Sequence, residues 1–226
     1  MRMTEKSGGM ENTISSTAFV RTNERRGYLL AKRAFDVFAS LAGIVLCLPV
    51  FVLIALWIKL EDPKGSVLFK QIRVGKNGVP FSMYKFRSMV ANAEELLEQL
   101  LDQNDVTGNM FKMKNDPRVT NVGRFIRRTS LDELPQLFNV LMGDMSLVGP
   151  RPPLPREVKD YTSHHMKRLS VTPGCTGIWQ VSARNEVGFE EMVAMDLEYI
   201  HNRCFWLDIK LILKTILVLI RPNGAY

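Results

Sequence analysis

Two adjacent carboxylates, Asp132 and Glu133, lie in a segment that also carries Arg118, Arg124, Arg127, Arg128 and Arg151. Guanidinium forks match phosphate oxygens with paired N–H donors. One carboxylate can hold a divalent metal while its neighbour attacks phosphorus once the substrate's charge is neutralised. This combination suits phosphoryl transfer. It also suits plain salt bridges, because structural ion-pair networks perturb carboxylates in the same way.

The elements that position the pair can be read from its surroundings. Leu131, Leu134, Leu137, Phe138 and Leu141 recur at helical spacing and define a buried face, with Asp132 and Gln136 four apart on the polar side. Pro135 sits without penalty only in a first turn, which puts the N-cap between about Leu131 and Leu134. Asp132 is then beside a positive helix end, where a carboxylate stays ionised and an incoming phosphate is stabilised. Two readings without chemistry stay open: Asp132 caps the helix, or Ser130 and Glu133 form a capping box.

Composition bounds the possibilities. With 226 residues, 46% of them hydrophobic, and a mean hydropathy of −0.03, the chain is too polar for a polytopic membrane protein and has room for one membrane element. The net charge of +7 points to an anionic partner: nucleic acid, lipid headgroups or a phosphorylated substrate. Cys47, Cys175 and Cys204 are scattered and odd in number, which indicates neither a disulfide framework nor a zinc site and fits a reducing cytosolic face. His164 and His165 are adjacent, so their side chains diverge, and both read as surface residues.

Residues 1–24 are polar and aperiodic and read as a disordered leader. Residues 37–58 contain no charge, enough for roughly 33 Å of helix, about the hydrocarbon thickness of a bilayer. This stretch is too long and starts too late for a signal peptide. Pro49, near its middle, deletes the bond to the Val45 carbonyl. Arg21, Arg25, Arg26, Lys32 and Arg33 precede the run, and Lys59, Lys64, Lys70, Arg73 and Lys76 follow it. Basic flanks mark the cytoplasmic side, and here both ends carry them, so a kinked span and a re-entrant hairpin are both compatible with the residues.

Farther along, SVLFKQIRV and VPFSMYKFR flank GKNG, a β-hairpin signature with Gly75 and Gly78 at the turn. Lys85 and Arg87 share one strand face and either meet phosphates or headgroups or form a solvated edge. Residues 91–102 read as an acidic amphipathic helix, and residues 105–114 as a loop. Residues 188–204 carry a periodic face. Residues 206–220 are strongly apolar, with Lys210 and Lys214 on one side and Trp206 as an aromatic anchor. That suits a helix lying in the membrane interface or a core helix.

The runs KFRSM (85–89), SLDELPQLFNVLMGDMSLVGPRP (130–152) and PGCTGIWQVSARN (173–185) follow the apolar segment in that order. Together they closely resemble the bacterial sugar transferase family, the monotopic phosphoglycosyl transferases, over about residues 30–226. The resemblance implies that Asp132 is the nucleophile and Glu133 its metal-associated partner. It also implies that Lys85, Arg87, Arg118, Arg127, Arg151, Gln180, Arg184 and Asn185 lie around the substrate. The implied cofactor is Mg2+. The implied partners are a UDP-sugar, polyprenyl phosphate and bacterial membrane lipids, with a homodimer as a candidate assembly and no nucleic acid. The implied reaction passes a sugar 1-phosphate through a phosphosugar-aspartyl intermediate and releases UMP, on the cytosolic face of the bacterial cytoplasmic membrane.

In fold terms, the resemblance implies a mainly helical α+β monotopic membrane protein. A re-entrant helix broken at Pro49 (25–60), a β-hairpin and interfacial amphipathic helices would surround a small cytosolic catalytic domain (61–226). Two positions depart from the family pattern: Leu48 precedes Pro49 where the family usually has serine, and Ala183 replaces a common glycine. A non-catalytic membrane-tethered scaffold would account for the apolar parts but not for the acid pair in its basic setting. A nucleic-acid binder would carry a zinc-finger, helix-turn-helix or RNP pattern, and none is present in the sequence.

Overall fold

The long apolar stretch folds as helix α1, Arg26–Glu61, about 54 Å in length at the α-helical rise. In this computed structural model, residues 26–93, 95, 96, 113, 116–182 and 188–220 are described. The leader, most of the expected acidic helix and nearly all of the 105–114 loop lie outside them. Pro49 is inside α1, which continues through it at the cost of one ladder hydrogen bond. Among the described residues, α1 is the helix long and apolar enough to cross a membrane.

One stripe of α1 holds the rest of the chain. Towards its start, Tyr28 and Lys32 donate to Asp208 at 2.8 and 3.0 Å. Arg33 donates to the Val140 and Leu141 carbonyls, and buried Asp36 accepts the Leu147 amide. Towards its end, Ile54 and Ile58 form a core with Phe86, Val122 and Ile126. The opposite stripe is bare: Leu46 is 79% exposed and Leu60 82%. Such a contiguous apolar surface has no place in water without a lipid or protein cover.

The hairpin forms as expected. Strands β1 (Leu68–Val74) and β2 (Pro80–Phe86) pair antiparallel from Leu68↔Phe86 to Val74↔Pro80. The tight turn between them places Asn77 at φ 58° and Gly78 at φ 80°, the left-handed region that Gly and Asn tolerate best. Helix α2 (Asn121–Arg128) begins where the Thr120 side chain accepts the Gly123 amide and Glu61, at the end of α1, accepts the Asn121 and Val122 amides. That carboxylate meets the positive end of the helix.

Helix α3 (Gln136–Met142) is oriented differently from the expected apolar face. Gln136, Asn139 and Val140 are buried, whereas Phe138 is 38% exposed. Gln136 therefore does not lie on a solvated side. The reason is that α3 serves two neighbours. Its leucine and phenylalanine positions meet α1, where Leu137 touches Gly43 and the Phe138 ring stacks edge-on to Phe51. Asn139 turns to the hairpin, accepting the Tyr84 amide and donating to the Ser82 carbonyl.

A second, parallel sheet follows: β3 (Ser146–Val148) and β4 (Gly174–Thr176). Between them lie the short helices α4 (Pro155–Val158) and α5 (Ser163–Met166) and a 3-10 turn, Lys167–Ser170. A Cβ at Gly174 would fall 2.0 Å from the Gly149 amide nitrogen, so only glycine allows this approach of the two segments. His165 is buried, not on the surface; its ring faces the Glu190 carboxylate at 3.1 Å and accepts the Thr162 amide. Helix α6 (Ile178–Ser182) leads to α7 (Phe189–Asn202) and α8 (Phe205–Ile220). Helix α8 buries Leu211 and Asp208 against the core while Trp206 stays 79% exposed. Phe205 meets Phe35 edge-on, which sets the start of α8 against the first part of α1.

Candidate active site

The two carboxylates sit in a 3-10 turn, Leu131–Glu133, between α2 and α3. The α-helix proper starts only after Pro135, its N-cap, one step later than the proline rule suggests. Ser130, just before the turn, has φ 57° and ψ 16° and makes no side-chain capping bond, so the Ser130–Glu133 capping box does not form. A left-handed serine is uncommon and costs backbone energy. Here it reverses the chain between α2 and the acids. Leu131 and Leu134 then anchor the turn in the core of Ile54, Ile58 and Val122.

Within that turn, Lys85 of β2 donates to Glu133 Oε1 at 2.7 Å. Burial pushes the Asp132 carboxyl up to about 6, and the Glu133 charge adds to this while Lys85 and Arg127 pull it down. Half-buried Arg127 is thus within electrostatic reach of Asp132. The structure brings Lys85 and Arg127 to the acid pair. Two other arginines are held elsewhere by acids of their own. Arg87 donates to Asp62 at 2.6 Å, in a space that exists only because residue 65 is glycine: a Cβ there would lie 1.4 Å from the Arg87 guanidinium. Buried Arg118 grips Asp116 with Nε and Nη2.

Arg151 is exposed, with its guanidinium 5.9 Å over the Trp179 ring; half-buried Gln180 follows in α6. Arg184 and Asn185 lie outside the described residues. Arg73 of β1 was not singled out from the sequence as a site residue. It is 5% exposed, bonds to Gln71 and to the Pro152 carbonyl, and its pKa is lowered to about 10 by burial and by Arg151, against the pull of Glu157 and Glu133. In the sequence it is one of three polar residues in the strand, with Lys70 and Gln71, a pattern that reads equally as a solvated edge.

No group of three or more His, Cys, Asp or Glu side chains that could hold a metal is present among the described residues. Asp132 and Glu133 form a two-carboxylate set. Mg2+ commonly uses one or two carboxylates and completes its octahedron with waters and substrate phosphates. A half-buried carboxyl beside a second acid is an electrostatic deficit that a cation relieves. The donor set fits Mg2+ brought in with a phosphate.

A family model for bacterial sugar transferases matches residues 27–222. The chain belongs to the bacterial sugar transferase family. Among its relatives, the galactosyl transferase CpsE of Streptococcus agalactiae serotype III is 47% identical over 199 residues, 88% of this chain and 44% of that protein. The undecaprenyl-phosphate galactose phosphotransferase of Salmonella typhimurium is 46% identical over 206 residues, 89% of this chain and 43% of that protein. The exopolysaccharide production protein ExoY of Rhizobium meliloti is 41% identical over 201 residues, 87% of this chain and 88% of that protein. The chain thus spans less than half the length of the first two and most of the third. In this bacterial sugar transferase the matched region runs from the start of α1 past the end of α8, so both bare apolar helices belong to the family unit.

Proposed function

We propose that this bacterial sugar transferase passes a sugar 1-phosphate from a UDP-sugar to polyprenyl phosphate at the cytosolic face of the bacterial cytoplasmic membrane, an early membrane step of exopolysaccharide or glycoconjugate assembly. The observation that carries the reading is the Asp132–Glu133 turn. It is wedged between the cation of Lys85 and the apolar helix α1, which puts charged chemistry beside a lipid-compatible surface. The name of the Salmonella relative, an undecaprenyl-phosphate galactose phosphotransferase, points the same way.

In this reading an Asp132 carboxylate oxygen attacks the phosphorus that bears the sugar. The bond from that phosphorus to the UMP oxygen breaks, and UMP leaves with the electron pair. An oxygen of the lipid phosphate then attacks the same phosphorus, the bond to Asp132 breaks, and polyprenyl diphosphosugar departs with the carboxylate restored. Lys85 orients Glu133, which would hold Mg2+ together with phosphate oxygens. When bound, that ion supplies charge neutralisation to the approaching anions. Arg127 and Arg151 supply further positive charge, and Arg151 with Trp179 offers a flat cation and ring to the nucleotide. Positioning and electrostatics of this kind are the main work of a phosphoryl-transfer site.

Insertion of α1 from one side of the membrane is supported by its docking. Tyr28, Lys32, Arg33 and Asp36 at one end and Ile54 and Ile58 at the other all bind the same body. A perpendicular span would pull one of these ends away from its partners and bury its charges in lipid. The test is to incubate membranes holding the protein with a panel of UDP-sugars and radiolabelled polyprenyl phosphate. One donor should yield labelled lipid diphosphosugar and UMP; no product with any donor overturns the proposal.

A further inference from the structure

The segment that carries Arg151 is Pro150-Arg151-Pro152-Pro153, and three of its four residues lack an amide hydrogen. It belongs to no helix or strand, so its own backbone has almost no donors with which to hold a shape. Its four successive carbonyls are instead gripped from outside. The Gly174 amide donates to Pro150 O at 2.9 Å and the Val74 amide to Pro153 O at 2.9 Å. Between them, two side chains act: Arg168 Nη2 donates to Arg151 O at 3.4 Å and Arg73 Nη1 to Pro152 O at 3.1 Å.

Both guanidinium groups are themselves fixed. Arg73 gives Nε and Nη2 to Gln71 Oε1 at 3.2 and 2.8 Å. Arg168 gives Nε to Asp196 at 2.8 Å and Nη1 to the Tyr161 hydroxyl at 2.7 Å. They are 5% and 3% exposed, so neither is presented to a ligand. Burying a cation against neutral acceptors, as at Arg73, is expensive. A fold that needed only a strand would place an apolar residue there. What the arrangement gains is a rigid Arg151 backbone, already restricted by the following proline, with its guanidinium held over Trp179.

We propose that Arg73, supported from the other side by Arg168, is a positioning residue that sets Arg151 for the anionic nucleotide of the donor. The inference rests on the reading that Arg151 binds that nucleotide. A lysine at position 73 keeps the charge but has one terminal nitrogen and cannot span Gln71 and Pro152 together. Misplacement of a binding group by a fraction of an ångström to an ångström is then the expected fault.

The probe is UDP, titrated calorimetrically into the full-length protein in nanodiscs. R73K and R151A should each weaken UDP binding about five- to tenfold. The double variant should be no weaker than R151A alone, because a residue that acts through Arg151 has nothing left to act on. Q71A, which loosens the same guanidinium without removing any charge, should weaken binding about two- to fivefold in the same Arg151-dependent way, and it keeps the test alive if R73K unfolds. Losses that add fully in the double variants, or wild-type affinity in both R73K and Q71A beside a weakened R151A, overturn the positioning role alone. Wild-type affinity in R151A overturns the binding reading and the inference with it.

Discussion

Lys85 Nζ lies 2.7 Å from Glu133 Oε1, and this ion pair joins the second hairpin strand to the turn that carries Asp132. The Glu133 side chain is 39% exposed. A pair so open to solvent contributes no more than about 1 kcal/mol to stability; in the proposed function its value lies in orienting the carboxylate and supplying charge at the site. Lys85→Ala should therefore lower kcat/KM about tenfold or more while shifting Tm by less than about 3 °C. Parallel transfer assays and thermal melts check this; a large fall in Tm with unchanged kcat/KM would make the pair structural.

Asp132→Asn should abolish both turnover and covalent labelling from the donor sugar phosphate, with membrane association intact. Glu133→Gln should be severely impaired, and its activity should need a higher Mg2+ concentration. Gel detection of the radiolabelled adduct and a metal titration read the two effects. Adduct on the asparagine variant would end the assignment of Asp132 as nucleophile.

Topology can be tested at sites the structure makes safe. A side chain at Gly27 meets nothing within 4 Å, whereas one at Gly65 would strike the Arg87 guanidinium, so exposed Lys64 is the better second site. In a background lacking Cys47, Cys175 and Cys204, Gly27→Cys and Lys64→Cys should both escape an impermeant thiol reagent in intact cells and react after permeabilisation. Pro49→Ala restores one helix hydrogen bond and should favour a straight span, so that position 27 becomes labelled from outside in part of the population. Outside labelling of position 27 with Pro49 in place would mark an ordinary transmembrane helix.

The Arg118 side chain holds the Asp116 carboxyl below its ordinary value of 3.8, working against burial. A depressed carboxyl contributes stability that is complete above the unfolded-state value and disappears as pH falls through the lower folded-state value. Asp116→Asn should thus destabilise the protein by about 1–3 kcal/mol at neutral pH, since it leaves a buried guanidinium short of its acid. The gap between variant and parent should begin to narrow as pH falls below about 3.8 and go on shrinking towards the lower folded-state value. Denaturant melts in nanodiscs across pH 3 to 7 measure it; a gap independent of pH would mean that the charge of Asp116 is not what matters.

Features encoded by neighbours in the chain were legible from the residues alone. The apolar run of α1 shows in composition, the hairpin in its GKNG turn between alternating strands, and the acid pair in its own motif, because each depends on contacts within a few residues. The direction in which α3 faces was not legible. Its leucines mark an apolar stripe correctly, but Asn139 is buried because the edge of β2 needs a donor and an acceptor, a demand that arises 55 to 57 positions away.

Sequence by itself determined which residues are chemically able to act: two adjacent acids, a set of cations and a lipid-length helix. Only the tertiary structure decided how the cations divide. Lys85 reaches Glu133 from 48 positions away, Arg87 and Arg118 are drawn off to Asp62 and Asp116, and Arg73 reaches the Pro152 carbonyl 79 positions away. A cation's partner is whichever acceptor the fold brings within about 3 Å. Asp116 is only two residues from Arg118. The partners of Lys85 and Arg87, and the Pro152 carbonyl that Arg73 reaches, are instead settled by packing over the whole chain, so no local pattern around those three cations records them.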